Sequence, residues 1–339
     1  MKVIDGARGE GGGQVARVAL SLAAATQTPT RVENIRAGRA EPGLKAGHLA
    51  AFRALAQVCD GEIDGAELGS SSVTLRPGLT VGGEGEFHVE TAGSLTLVLQ
   101  ALLPAAAASR QSFRWRLVGG TNVAWAPQWD DFVHVHVPLL AKLGVEVTPT
   151  LGRRGFFPVG GGEVEIEVTT PALRQARLVE PGALRALKAV VASHGLPRHV
   201  VERAGIALQE QLGMVRPVEF LVDFHRGPGT GFAVSVRAEC DASVLGGDAV
   251  GRKGTRVEDV VLEAAARLKA DLASGAALDV HQADQMPVFM ALAGGGAFTA
   301  RMLSPHARTV LELLPEFLPV DIATTQQGKR VLVEIATRR

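Results

Sequence analysis

What most restricts the fold of this chain is an order of elements that comes back along it. Within residues 1 to about 80, the strand-like run KVID passes through a glycine-rich turn into a helical pattern beginning near Gly12. A second run, TRVENI, passes through another glycine-containing turn into a helical pattern near Gly43, and two strands, SVTLRP among them, close the unit. From Glu86 the order restarts with EFHVE, the turn TAGS, the helix LTLVLQALLPAAAA, the strand FRWRLV, the turn GGTN, a helix around 128–142, and the strands VEVTP and EVEIEV. A third copy is expected to open with HQADQMPVFMALA. It continues through FTARML, a helix from about Pro305 to Phe317, and the strands PVDIA and RVLVEIA. The copies share element order and few residues.

Between the second and third copies the pattern changes. LRALKAVVAS, a helical HVVERAGIALQEQLG and the strands VEFLVDF and GFAVSVRAE lead into a long amphipathic helix from about Arg256 to Ala273. Its apolar stripe, Val257, Val260, Val261, Ala264 and Leu268, has ordinary core spacing. The expected fold is α+β. A larger domain of three repeated βαβαββ units (1–182 and 276–339) is interrupted by a smaller inserted α/β domain at 183–275.

Lys plus Arg and Asp plus Glu each number 35, so no global positive field draws the chain onto nucleic acid, and any such contact must be local. Cys59 and Cys240 form no CxxC pair, which argues against a zinc site and a disulfide framework and favours a reducing cytoplasm. The start MKVIDGARGEGGG has no apolar targeting core, and no apolar run is long enough to span a bilayer, so neither secretion nor membrane insertion is expected.

Four stretches could carry chemistry. GARGEGGGQ, residues 6–14, can bring backbone amides close to an anion at a helix start, although it lacks the GK[ST] ending of a P-loop and could equally be a tight packed turn. Within it Glu10 could hold a cation beside a phosphate, or be a solvated loop acid. In NIRAGRAEPGLKAGH, Arg36, Arg39 and Lys45 are opposed only by Glu41 and suit a two-pronged grip on phosphate; His48 follows on a helix, where it could also cap or pack. HQADQ opens a helix in which Asp284 could bind a metal or ribose and Gln285 could read a base, though acids favour first turns anyway. In MLSPHARTVLELL, His306 begins an amphipathic helix, a place where a lone histidine is commonly structural.

Taken in series, IDGARGEGGGQ, ENIRAGRAEPGLKAGH, ELGSSSVTLRPG, TAGSLTLVLQALLP, GGTNVAWAPQWD, RRGFFPVGGGEVEI, HQADQ with ALAGGG, and SPHART resemble RNA 3'-terminal phosphate cyclase over nearly the full length. The resemblance implies three βαβαββ units with an inserted domain, and an ATP-dependent ligase-type reaction in three steps. A histidine takes AMP from ATP, AMP passes to an RNA 3'-phosphate, and the 2'-hydroxyl closes a 2',3'-cyclic phosphate. It places the nucleophile at His306 and a divalent metal, Mg²⁺ or Mn²⁺, at Glu10. Arg17, Arg36, Arg39 and His48 fall near the reacting phosphates, and Gln100, Pro127, His281, Asp284 and Gln285 around the nucleotide.

Three positions depart from the family pattern: His281 replaces a tyrosine, Gly47 a glutamine and Val310 an asparagine. An inert cyclase-like scaffold for ribosome assembly is the main alternative, and it would lack the histidine nucleophile. An enolpyruvyl transferase and an RNA-binding module without chemistry fit the motif series less well. RNA with a 3'-phosphate end is the expected partner, with no membrane and no obligate protein partner. A local basic cleft near Arg36 and Arg39 is expected to grip the terminal phosphate, since 12 Phe, 3 Trp and no Tyr leave few stacking platforms. Adenylation of a 5'-phosphate end is a conceivable side activity. The inserted segment carries none of the matching motifs and is expected to shape the RNA entrance.

Overall fold

The computed structural model describes residues 1–90, 92–225 and 229–338; Thr91, where the turn TAGS was expected to begin, lies outside them. The chain opens with β1 (Lys2–Asp5), α1 (Gly13–Ala25), β2 (Thr30–Glu33), α2 (Ala46–Val58), β3 (Glu62–Asp64) and β4 (Val73–Arg76), whose strands form a sheet of order β1-β2-β4-β3. β1 and β2 run parallel, which requires a crossover, and α1 supplies it. The next sheet uses β5 (Gly83–His88), α3 (Leu95–Ser109) and β6 (Phe113–Gly119). A helical stretch follows, from α4 (Trp129–Asp131) through a π-turn at Phe132–His136 to α5 (Val137–Lys142), and then β7 (Glu146–Arg153) and β8 (Gly162–Thr169). Its order, β5-β6-β8-β7, repeats that of the first.

After β9 (Ala176–Leu178) come β10 (Leu184–His194), α6 (Arg198–Leu212), β11 (Val218–His225), β12 (Gly231–Cys240), β13 (Val244–Val250) and α7 (Val257–Ser274). The chain ends with α8 (Gln282–Leu292), β14 (Gly295–Ala300), α9 (Pro305–Phe317), β15 (Val320–Gln327) and β16 (Arg330–Thr337). β9 pairs in parallel with β14 in a sheet of order β15-β16-β14-β9. The strand order of the first two sheets therefore appears a third time, but its first strand is β9 and not, as expected from the sequence, an element beginning at HQADQ. Residues between β9 and α8 make a separate sheet, β11-β10-β12-β13.

Each outer sheet buries one face. Along β8, buried Val164, Ile166 and Val168 alternate with exposed Glu165 and Glu167, the two-residue period of a half-buried strand. The helices pack on one another beneath the sheets: α1 against α3 and α9, α2 against α3, and α8 against α9. A second apolar cluster, from Leu187 to Leu268, fills the space between the β10–β13 sheet and its helices α6 and α7. Buried Arg154 joins the two regions. Its guanidinium donates to Asp130 at 2.7 and 2.8 Å, to Asn122 at 3.1 Å and to Asp223 on β11 at 2.8 Å. No helix among the described residues is long and apolar enough to cross a membrane.

Candidate functional site

The glycine-rich loop before α1 is clamped against the start of α9. The Glu10 amide donates to Thr309 Oγ1 at 3.3 Å, and that hydroxyl donates to the Pro305 carbonyl at 2.9 Å. Gly9 sits at φ +59, and a Cβ there would lie 2.1 Å from Thr309 Oγ1. A Cβ on Gly13 would lie 2.0 Å from His48 Nε2, so two glycines of this loop are demanded by close neighbours. α1 has no side-chain cap, which leaves its first-turn amides available to an anion.

His306 stands in the first turn of α9. Ser304 caps that helix by accepting from the Ala307 amide at 2.9 Å, and Pro305 presets its first residue. The Ser304 hydroxyl donates to Asp284 Oδ1 at 2.6 Å, tying the first turn of α8 to that of α9. His306 Nδ1 is buried and lies 3.6 Å from Glu10 Oε1, ion-pair distance but longer than a hydrogen bond; neither atom has a hydrogen-bond partner among the described residues. The His306 side chain is nevertheless 46 % exposed, so its open edge is the one bearing Nε2. Glu10 is only 5 % exposed, and its Oε2 accepts from Arg39 at 2.8 Å.

Charges here are set against burial. Burial opposes the Glu10 carboxylate, but His306, the Gly12 amide and Arg39 outweigh it and hold Glu10 below the usual carboxylate range. Glu10 in turn raises His306 against burial, with a smaller contribution from Asp284. Burial raises the Asp284 carboxyl, against the Ser304 hydrogen bond and the two neighbouring histidines. Burial pulls Arg17 down to about 10 despite Glu10 and Asp284. Arg17 has no hydrogen bond or ion pair among the described residues, so its donors are available to a ligand. His48 is pushed down to about 4 by burial and then by Arg17, Arg36 and Lys45. Its Nδ1 accepts the Lys45 amide at 3.0 Å, so neutral His48 carries its proton on Nε2.

Glu10, Arg17, Arg39, His48, Asp284 and His306 thus meet where α1, α2, α8 and α9 begin. Arg36 borders them with one nitrogen spent on the Glu41 and Gly43 carbonyls, at 2.8 and 3.0 Å, so it also builds the loop it sits in. Gln100, Pro127, His281 and Gln285 form no hydrogen bond with that group among the described residues. Each has its own setting. Gln100 Oε1 is buried without a partner on α3, and the Pro127 carbonyl accepts from Thr96 at 2.8 Å one turn earlier on that helix. His281 is exposed and Gln285 half-buried on the first turns of α8.

The departures from the family pattern differ in kind. A Cβ at Gly47 would meet nothing within 4 Å, whereas Val310 is wholly buried and belongs to core packing. Sequence reasoning carried Ser304 and Thr309 only as part of the SPHART match, without a role, and did not single out Gln14, whose Nε2 is buried without a partner at the start of α1. Ser-Pro ahead of an amphipathic run was the available signal for the first.

Glu10 Oε1 could offer one donor to a divalent cation. Among the described residues no group of three or more His, Cys, Asp and Glu could hold one, so a metal here would have to share its ligands with a bound phosphate. The RNA 3'-terminal phosphate cyclase family profile matches residues 8–324. The chain is similar to the RNA 3'-terminal phosphate cyclase of Nitrosospira multiformis, 40 % identical over 98 % of this chain and 96 % of that protein. It is 38 % identical to that of Methanopyrus kandleri over 98 % and 97 % of the two chains, and 38 % identical to that of Pyrococcus furiosus over 94 % and 93 %.

Proposed function

The chain belongs to the RNA 3'-terminal phosphate cyclase family, a family of enzymes, and from that premise we propose that it uses ATP to turn an RNA 3'-phosphate into a 2',3'-cyclic phosphate through AMP carried on His306. The observation that carries the reading is the His306–Glu10 pair: a buried carboxylate facing Nδ1 favours the tautomer whose Nε2 lone pair points into open space. Nε2 attacks the α-phosphorus of ATP, the bond to the bridging oxygen breaks, and pyrophosphate leaves with that electron pair. The imidazole then bears AMP with its proton on Nδ1, where Glu10 balances the positive charge. An oxygen of the RNA 3'-phosphate displaces the imidazole from phosphorus and takes the AMP. Finally the 2'-hydroxyl oxygen attacks the 3'-phosphorus, loses its proton, and expels AMP as the ring closes.

Arg17, Arg39 and the open first turn of α1 suit the phosphates, with Arg36 and the Nε2–H of His48 beside them. Glu10 would hold Mg²⁺ or Mn²⁺, which when bound supplies Lewis-acid neutralisation of phosphate charge. Gln100, Pro127, His281, Asp284 and Gln285 are assigned to the nucleotide, the half-buried Pro127 offering an apolar face to adenine and His281 taking the tyrosine's place. Residues 183–275 are read as an inserted domain that shapes the RNA entrance, in support of which they have their own sheet and apolar cluster. The inert scaffold draws no support from relatives that carry the cyclase's name. The test is incubation with α-labelled ATP and either metal, then denaturation, for wild type and His306→Ala. An acid-labile, alkali-stable label on wild type alone is expected; folded, AMP-free wild type that takes no label refutes the reading.

A further inference from the structure

The chain has three tryptophans, and one is placed where folding gives no reason for it. Trp115 and Trp129 are 1 % and 3 % exposed, whereas Trp125 is 89 % exposed. Its backbone is left-handed, φ +67, a conformation costly for a bulky side chain and found mainly where function demands it. The Arg252 guanidinium lies 5.1 Å from the ring centroid, in cation–π contact. Arg252 comes from the β13–α7 loop, Gly-Arg-Lys-Gly-Thr-Arg, so the stack bridges the β10–β13 region and the second repeat unit. Among the described residues neither Arg252 nor Lys253 forms an ion pair; Arg256 lies 3.5 Å from Glu258.

This platform lies two residues from Pro127, which is assigned above to the nucleotide. Trp125 shares its loop with Pro127, whose carbonyl is held by Thr96. The Gln128 amide donates to Asp248 Oδ2 at 2.7 Å, which ties this loop to β13, the strand that leads into the Arg252 loop. An exposed indole flanked by unpaired cations suits a stacked base with its phosphate: every base has a π-face, and the phosphate needs neutralising. An apolar protein segment would be better served by the exposed Phe220, Leu221 and Phe224 of β11, which lie elsewhere.

We propose that Trp125 and Arg252 form a stacking platform for a base of the RNA substrate upstream of its 3'-phosphate, with Lys253 taking a backbone phosphate. The assignment rests on the RNA reading above and adds to it a residue that reads length without touching the reaction.

Because Trp125 is the exposed tryptophan, its fluorescence reports occupancy without any turnover. An RNA octamer ending in a 3'-phosphate is expected to quench wild-type emission in the absence of ATP, and a nucleoside 3'-monophosphate to leave it unchanged. Trp125→Phe should abolish the quench while retaining octamer binding by anisotropy. Trp125→Ala should raise the KM for the octamer about 5- to 100-fold. Its kcat, its labelling by ATP alone, and its KM for a dinucleotide 3'-phosphate should stay at wild-type values, and Trp125→Phe should recover most of the octamer KM. Equal quenching by the mononucleotide, or impaired labelling by ATP alone in a folded Trp125→Ala, would place Trp125 in the ATP site and overturn the proposal. An octamer KM within twofold of wild type would overturn it too; self-association lost in that variant would then mark a protein contact. Wild type that neither takes label nor cyclises would sink the function reading, while the quenching titration would still decide whether RNA stacks here.

Discussion

Glu10→Gln is the sharpest test of the proposal that Glu10 makes His306 a nucleophile. Arg39 is an obligate donor, 2.8 Å from Glu10 Oε2, so a glutamine here must turn its oxygen to Arg39 and its NH₂ toward His306 Nδ1. Nδ1 then accepts, the ring proton moves to Nε2, and the atom meant to attack phosphorus loses its lone pair. With the 3.6 Å gap closed to hydrogen-bonding distance, the carboxylate would favour the reactive tautomer by about 2 kcal/mol and the amide the wrong one by about 1 kcal/mol, a swing of about 3 kcal/mol. That is a change of about 100-fold in the tautomer ratio, and it takes the reactive form from nearly all of the neutral ring to about 15 % of it, a fall of about sixfold. Single-turnover labelling at saturating ATP should slow at least that much. Glu10→Gln combined with Arg39→Met, which frees the amide to rotate, should label faster than Glu10→Gln alone although it lacks a further cation. Nitrogen-15 shifts of the His306 ring, recorded without nucleotide or metal, read the tautomer directly. A Glu10→Gln protein that keeps its proton on Nδ1, or a double variant slower than the single, would refute the reasoning.

Two further outcomes concern stability. Arg154→Met leaves Asp130 buried without its cation and should cost about 3–5 kcal/mol in urea unfolding, with the β10–β13 region loosening from the second unit. His48 is held neutral in the fold down to about pH 4, whereas the unfolded chain protonates near its ordinary value. Its contribution is therefore complete above about pH 6.5 and lost as pH falls toward 4, about 3 kcal/mol in all. Unfolding curves of wild type and His48→Gln should converge by that amount over this window; parallel pH dependence would show that His48 does not titrate as the fold implies.

The elements that were legible in the sequence are those whose periodicity is long enough to show. α9 was expected from about Pro305 to Phe317 and spans those residues, because a Ser-Pro start precedes an unbroken apolar stripe. β9 was missed since a three-residue strand has no period, and its partner β14 lies beyond the β10–β13 segment. β13, VLGGDAV, did not read as a strand because its Gly-Gly pair lowers β-propensity. Packing explains the pair: a Cβ on Gly246 would lie 2.3 Å from Asp131 Oδ1, and one on Gly247 2.4 Å from the Ala264 carbonyl of α7. At the site, motif series located His306 and Glu10, but no spacing rule could state that they face each other from opposite ends of the chain. Composition likewise counted three tryptophans without saying which of them is left in water.

Arg17 explains why such a site would close on a polyphosphate and not simply tolerate one. Before a ligand arrives, its guanidinium is drawn down to about 10 by burial, with the Glu10 and Asp284 charges acting at a distance and no hydrogen bond to either. Glu10 is committed to Arg39 and His306, and Asp284 to Ser304, so neither carboxylate is free to satisfy Arg17. Half-buried and without hydrogen bonds among the described residues, the Arg17 guanidinium keeps its donors open, and the neighbouring histidines offer it no negative charge. A phosphate oxygen supplies what every neighbouring group withholds: negative charge with spare lone pairs, at the open first turn of α1. In the proposed reaction, those open donors would draw a phosphate to the place where the reacting phosphorus would sit, next to the open edge of His306.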